Sequence, residues 1–164
     1  MKQLASEPKI GLQIFCSEGL ISRVSASLSP AFTCHIEGAG PDLENSILSW
    51  LIAYTKKSLL PLPEIFQMSG LTPFQKTGLE QMKTISFGET KSYKELAALC
   101  KKPLGARAIG GMCSRNPFLL FYPCHRVICS DKSLGGFAVD LEIKRRLLDF
   151  EGKHPCPRKY TARD

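Results

Sequence analysis

Two prolines set two residues apart, Pro61 and Pro63 in LLPLPEIFQM (59–68), constrain this chain more than any other feature. Proline lacks a backbone donor and its ring clashes with a helix carbonyl, so no helix runs through this stretch and the chain must fold on either side of it. Before it lie three β-rich runs, IGLQIF (10–15), LISRVSASL (20–28) and FTCHIE (32–37), separated by Ser-Glu-Gly and Ser-Pro turn signals. From Asp42 a helical period takes over: Leu43, Ile47 and Leu51, and Leu48 and Ile52, recur at four-residue steps up to about Lys57. This half reads as a small antiparallel sheet with one covering helix.

The second half is helical in pattern. Thr72-Pro73 with Gln75 supplies an N-cap, a first-turn proline and a capping-box partner, predicting a helix over about 73–85 that Gly88 ends. Ser92 with Glu95 is a second capping box, followed by Leu96, Ala97 and Leu99 and stopped at Lys102-Pro103. After a Gly-containing turn, Ala106–Ser114 is predicted as another short helix, ended by Asn116-Pro117, which completes the outline of a helix-turn-helix. The last helix begins near Asp140 and carries Ile143, Leu147 and Glu151 at four-residue steps, so a carboxylate continues an apolar stripe. The expected fold is α+β. A small N-terminal antiparallel sheet with its covering helix occupies 1–68, and a mainly helical C-terminal domain with a winged helix-turn-helix-like motif occupies 69–154, although many helical hairpins of this outline bind nothing. A flexible tail (155–164) completes it.

Charge follows the same division. Residues 1–89 hold 7 Lys+Arg against 8 Asp+Glu and residues 90–164 hold 15 against 7, so the entire excess of +7 belongs to the second half. A basic half suggests a polyanionic partner, nucleic acid above all, with a solvated basic surface as the plain alternative. At 43% apolar content the chain can bury a core, and no run approaches the roughly 18 apolar residues of a membrane span. The opening MKQLASEPKIGLQIF also lacks a leader's apolar stretch, so a cytoplasmic location is expected. Seven cysteines (16, 34, 100, 113, 124, 129 and 156), odd in number and irregular in spacing, suggest reduced thiols rather than a disulfide framework. Cys16, Cys34 and His35 could offer zinc ligands but lack the usual short gap between paired ligands, and there is no Gly-rich nucleotide loop, so neither metal nor cofactor is expected.

The uninterrupted apolar run Phe118 to Tyr122 predicts a buried strand or extended segment that delivers Pro123, Cys124, His125, Arg126 and Val127. A thiol, a base and a cation in consecutive positions compose an activated cysteine, because the thiolate is the nucleophile and a nearby imidazole or cation lowers its pKa from about 8.5. Neighbours on a strand point to opposite faces, so proton transfer from Cys124 to His125 needs a turn or a bridging water. Glu151, if inward-facing, could hold the His125 tautomer in a Cys, His, Glu relay; a helix-end carboxylate facing water is the alternative. The same residues would suit a cysteine hydrolase, although adjacent Cys and His are atypical of one.

Pro123-Cys124-His125-Arg126-Val127-Ile128, preceded by Asn116-Pro117 and by Gly105-Ala106-Arg107-Ala108-Ile109-Gly110-Gly111, resembles the signature region of the O6-alkylguanine-DNA alkyltransferases over about Leu71 to Gly152. The resemblance implies direct-reversal DNA repair: irreversible, single-turnover transfer of a methyl or other alkyl group to Cys124 from O6 of guanine, with O4 of thymine a further candidate. It implies a monomer acting on double-stranded DNA without a cofactor. Cys124 would accept the alkyl group, His125 would act as base through a water and Glu151 would orient His125. Asn116 would brace the turn, and Tyr93 would donate to the leaving guanine. Arg107 would enter the duplex and fill the gap left by a flipped base, while Ala106 and Gly110 allow close approach in the minor groove. Ser92, Lys94, Arg115 and Arg126 belong to the same DNA-binding set, and Lys91, Lys101 and Lys102 would add phosphate contacts. Val127, Phe137 and Ala138 would line the substrate pocket, with the carbonyls of Cys124 and Val127 reading the guanine amino group. The chain departs from the family's usual loop at Phe137-Ala138-Val139-Asp140. Ala138 keeps a backbone N–H but lacks a hydroxyl, and Val139 and Asp140 would narrow the pocket. A damage-binding protein of the same fold without chemistry is a second possibility, disfavoured by Cys124, which such alkyltransferase-like proteins lack.

Overall fold

A computed structural model of the chain describes residues 1–58, 60–137 and 139–152. Lys2–Ala5 (β1), Ile10–Ser17 (β2), Leu20–Leu28 (β3) and Phe32–Glu37 (β4) form a four-stranded sheet in the order β1-β4-β2-β3. The sheet is mixed, which corrects the antiparallel expectation. β2 and β3 make the expected hairpin. β3 then occupies one side of β2, so β4 takes the other and runs parallel to β2, with Leu12 opposite Cys34 and Ile14 opposite Ile36. Turn signals mark where a chain reverses but not which neighbour it pairs with. The edge strand β1, unforeseen in the sequence, lies antiparallel to β4.

Pro41–Thr55 (α1) supplies the apolar stripe that joins the sheet in the core, burying Leu43, Ile47, Leu51 and Tyr54. Ile52, expected on a second row of the stripe, is exposed, and Tyr54 completes the buried one instead. The alternation along β2, with Ile10, Leu12 and Ile14 buried and Gln13 exposed, shows which side of the sheet is dry. Each such large apolar side chain contributes about 1.5–3 kcal/mol on burial.

The second half contains Pro73–Lys83 (α2), Lys91–Ser92 (β5), Tyr93–Leu99 (α3), Ala106–Ser114 (α4), Val127–Ile128 (β6) and Leu141–Glu151 (α5). Both capping boxes form. The Gln75 N–H donates to Thr72 Oγ1 at 3.2 Å and the Glu95 N–H to Ser92 Oγ at 3.1 Å, with each N-cap N–H returned to its partner's side chain. β5 and β6 pair in parallel, bringing the residue before Tyr93 beside the segment that follows Cys124.

The proline-containing stretch is tied down rather than loose. The Ile21 N–H donates to the Ile65 carbonyl at 2.7 Å and the Gln67 N–H to the Ile21 carbonyl at 2.9 Å, so this segment lines β3. Further along β3, the Val24 N–H donates to the Pro117 carbonyl at 2.7 Å. That bond anchors the start of the apolar run, whose five residues Phe118 to Tyr122 are all buried in a core shared by the sheet, α1, α2 and α4. The run is not a regular strand, since Leu120 turns with φ +74°. The expected tail (155–164) and Ala138 lie outside the described residues. Among the described residues no helix is long and apolar enough to cross a membrane.

Candidate active site

The apolar run ends in a single 3-10 turn, Cys124–Arg126, with Cys124 and His125 wholly buried. Because the chain turns here rather than continuing as a strand, the alternate-face rule of a strand does not apply to the Cys-His pair. Asn116 fixes the turn from both ends. Its Nδ2 donates to the Tyr122 carbonyl at 2.8 Å and to Cys124 Sγ at 3.1 Å, while its Oδ1 accepts from the Phe118 N–H at 3.0 Å.

Glu151 faces inward, 5% exposed, and is the hub of the site. Oε1 accepts from His125 Nε2, from Arg126 Nη2 and from the Tyr54 hydroxyl, each at 2.9 Å. Oε2 accepts from Arg126 Nε at 2.8 Å and from the Gly88 N–H at 3.2 Å. Gly88 does not cap a helix as its position suggested. It holds φ +75°, and a Cβ there would sit 3.1 Å from the Glu151 carbonyl, so glycine suits both the backbone conformation and the close approach. Burial alone would raise the Glu151 carboxyl, but His125 and Arg126 outweigh it and hold Glu151 well below the usual carboxylate range.

This geometry corrects two expectations. The resemblance places Arg126 on DNA, yet it is 9% exposed, bidentate on Glu151, and its Nη1 donates to the Ile85 carbonyl at 2.7 Å. A guanidinium satisfied in this way has no cause to leave. Second, the side chains of His125 and Arg126 do not hold Cys124 as a thiolate in the resting site. Burial raises the Cys124 thiol, offset in part by the Asn116 N–H and the charge of Lys144, while Arg126 and the His125 Nε2 face Glu151 instead. His125 is lowered by burial against the pull of Glu151, and is therefore neutral near pH 7. With Nε2–H donated to Glu151, Nδ1 is the basic nitrogen, and among the described residues it has no hydrogen-bond partner. The resting pair is a neutral thiol and a neutral imidazole, so the proton must move during reaction.

Lys144, on α5, was missed. It is wholly buried, and Nζ donates to the Val127 and Leu134 carbonyls, both at 2.6 Å. It also lies over the rings of Tyr93 and Phe137, at 5.6 and 5.5 Å. Burial draws its pKa down to about 8. The sequence signal was available: Lys144 falls among Ile143, Leu147 and Leu148 on the buried side of α5. Tyr93 starts α3 beside it, and its hydroxyl donates to the Gly136 carbonyl at 2.8 Å. Burial keeps that phenol above its ordinary range, protonated and able to donate. Gly135, at φ +67°, lets the loop approach, since a Cβ would meet Tyr93 Cε2 at 2.8 Å and Cys129 Sγ at 2.9 Å. Val127, Phe137 and Tyr93 are thus gathered around one cation. Asp140 does not face them: its carboxylate accepts from the Glu142 N–H at 2.8 Å and caps α5.

Arg107, Lys94 and Arg115 are exposed, with Arg107 on α4, Lys94 on α3 and Arg115 just beyond α4. Ser92, expected with them, is 8% exposed and uses its hydroxyl in the α3 cap, so it is no surface contact. Cys34 and His35, adjacent on β4, are respectively buried and exposed, and no metal-binding cluster of His, Cys, Asp and Glu occurs among the described residues.

Residues 73–153 match the family model described as 6-O-methylguanine DNA methyltransferase, DNA binding domain. The methylated-DNA–protein-cysteine methyltransferase of Cricetulus griseus is 38% identical over 127 residues, covering 70% of this chain and 60% of that protein. The Homo sapiens protein of the same name is 36% identical over 121 residues, covering 69% and 58%. The chain therefore spans about three fifths of the length of these relatives. Among solved structures, Mycobacterium tuberculosis O6-methylguanine methyltransferase is similar with a TM-score of 0.65 at 25% identity, covering 87% of this chain and 92% of that one. On these matches, and with a buried cysteine, histidine and glutamate gathered inside the matched residues, the chain belongs to the 6-O-methylguanine DNA methyltransferase family.

Proposed function

We propose that this chain repairs DNA by moving a methyl or small alkyl group from O6 of guanine to Cys124, once per molecule. The observation that carries the reading is the buried Cys124 Sγ, held at 3.1 Å by Asn116 and followed by an imidazole tied through Nε2 to Glu151, its Nδ1 unbonded among the described residues. In the reaction the thiol proton passes through a water to His125 Nδ1. The sulfur lone pair forms the S–C bond as the C–O6 bond breaks. The released electron pair goes to the guanine, which Tyr93 stabilises by turning its hydroxyl proton from the Gly136 carbonyl to the leaving base. A thioether has no good leaving group, so the protein is consumed.

A sulfur with no exposure cannot reach a base inside a stack, so the reading requires the nucleotide to be extruded at a cost of a few kcal/mol. The exposed face of α4 suits the partner. Arg107 stands beside the small Ala106 and Ala108, and beside Gly110, where a Cβ would find no protein atom within 4 Å. A position that the fold itself leaves open is consistent with close approach of an external surface. Arg107 would fill the gap, and Lys94, Lys101, Lys102 and Arg115 would contact phosphates.

Intact mass after mixing with a duplex bearing one O6-methylguanine tests the transfer. Wild type should gain about one methylene, stop at one per molecule and map to Cys124, and Cys124→Ser should gain nothing. Lesion binding without a mass gain would replace transferase with binding protein. Arg107→Ala should slow repair of the duplex by roughly 10²-fold while reaction with free O6-benzylguanine is preserved. Equal losses on both substrates would remove Arg107 from the base-flipping step.

A further inference from the structure

Tyr54 lies in α1, outside the residues that match the family model, and 97 positions from Glu151 in sequence. Its hydroxyl nevertheless donates to Glu151 Oε1 at 2.9 Å, the oxygen that also accepts from His125 and Arg126. The ring has little freedom to withdraw. Trp50 stacks on it at 5.8 Å, and Phe87 and Phe150 pack at 5.5 Å. The residue is 4% exposed. We infer that Tyr54 is a positioning residue for the transfer, whose hydroxyl competes with His125 for Glu151 Oε1 and so sets how strong a base the imidazole is. The inference rests on the transferase reading given above.

The argument is electrostatic. Donors sharing one carboxylate oxygen each draw negative charge from it, and every added donor weakens the hold on the rest. His125 is faced by Glu151 and Lys144 from α5 and by Arg126 from its own turn, with Tyr54 acting from α1 through Glu151. Glu151 favours the imidazolium and the two cations disfavour it. Among the described residues only Glu151 hydrogen-bonds the ring. Anything that changes the charge on Oε1 therefore acts on His125 directly. Burial and the nearby Glu151 hold the Tyr54 phenol well above its ordinary range, so it donates at every pH at which the protein works. With its hydroxyl removed, Oε1 carries more charge toward His125, the imidazolium is better stabilised and its titration moves up.

The test is Tyr54→Phe in the full chain, which keeps the ring and removes only the oxygen. The His125 titration, followed by NMR on 15N-histidine-labelled protein, should move upward by about half a pH unit. The acid limb of the transfer-rate profile should move the same way. Tyr54→Leu, which also deletes the ring, should show the same His125 shift together with a lower Tm. An unchanged or downward His125 midpoint in Tyr54→Phe overturns the inference, even if Tm falls, because that is what packing alone would give. If wild type transfers no alkyl group, the transferase reading fails while the NMR titration still decides whether Tyr54 governs His125.

Discussion

Glu151→Gln should lower stability at pH 7 by about 3–5 kcal/mol and slow alkyl transfer by roughly 10²-fold or more. The carboxylate accepts five hydrogen bonds, from Tyr54, Gly88, His125 and both Nε and Nη2 of Arg126. An amide has one acceptor oxygen, and its NH2 would face donors. Arg126 would then be a buried cation whose anion has gone, which is the costly case, while His125 would lose the group that fixes its tautomer. A pH signature accompanies this. The Glu151 carboxyl is depressed in the folded state, so it contributes stability that is complete above the unfolded pKa, near 4.5, and is lost as pH falls toward the folded value. Wild type should therefore lose stability below about pH 4.5 more steeply than Glu151→Gln, and denaturant titrations from pH 3 to 7 on both proteins would measure the difference. Equal stability at pH 7 would mean that the five bonds are not holding the site.

Lys144→Met should slow transfer strongly, whereas its effects on stability largely offset one another. Two opposing terms of similar size meet here. Depression of the ammonium from 10.5 to about 8 corresponds to roughly 3 kcal/mol of unfavourable burial at neutral pH, which Met removes. Met also orphans the Val127 and Leu134 carbonyls, at about 1–3 kcal/mol each. Net stability at pH 7 should thus lie between about 1 kcal/mol gained and about 3 kcal/mol lost. Transfer has no such compensation. Lys144 is the cation that favours the Cys124 thiolate, and it holds the carbonyls beside Tyr93 and Phe137, so its loss should slow transfer by about 10²-fold. The stability of wild type relative to Lys144→Met should rise between pH 8 and 10.5, because across that window the unfolded chain binds the proton that the folded chain has released. A variant that transfers at the wild-type rate would show that Lys144 only fills space.

What the sequence revealed was mostly local. The boxes at Thr72/Gln75 and Ser92/Glu95 span three residues each, and α4 occupies Ala106–Ser114 as its small-residue pattern and flanking turn predicted. Cys124 and His125 were recognisable as a pair because thiol and base are adjacent, whereas the apolar stripe left Glu151 open between an inward role and a helix end facing water until the fold buried it. What sequence reading misjudged depends on partners far away. Arg126 looks like a surface cation until Glu151, 25 residues on, takes its guanidinium. Lys144 shares the buried side of α5 with Leu147 and Leu148, but a lysine at such a position is satisfied only by the loop carbonyls of Val127 and Leu134, which its own helix does not announce. The parallel pairing of β2 with β4 was hidden for the same reason, since period-two alternation reports a strand's faces and not its neighbours.

The reach of Tyr54 into the Glu151 hub bears on how such proteins can be recombined. A chimera that grafted residues 73–153 onto the first half of a different relative would keep the cysteine, the base and the carboxylate, and by inspection of those residues would look complete. Unless the donor half placed a hydroxyl where α1 presents Tyr54, one oxygen of the carboxylate would lose a donor supplied from outside the transplanted piece. The practical unit for transplantation is therefore the pair formed by α1 and the second half, and not the matched domain alone.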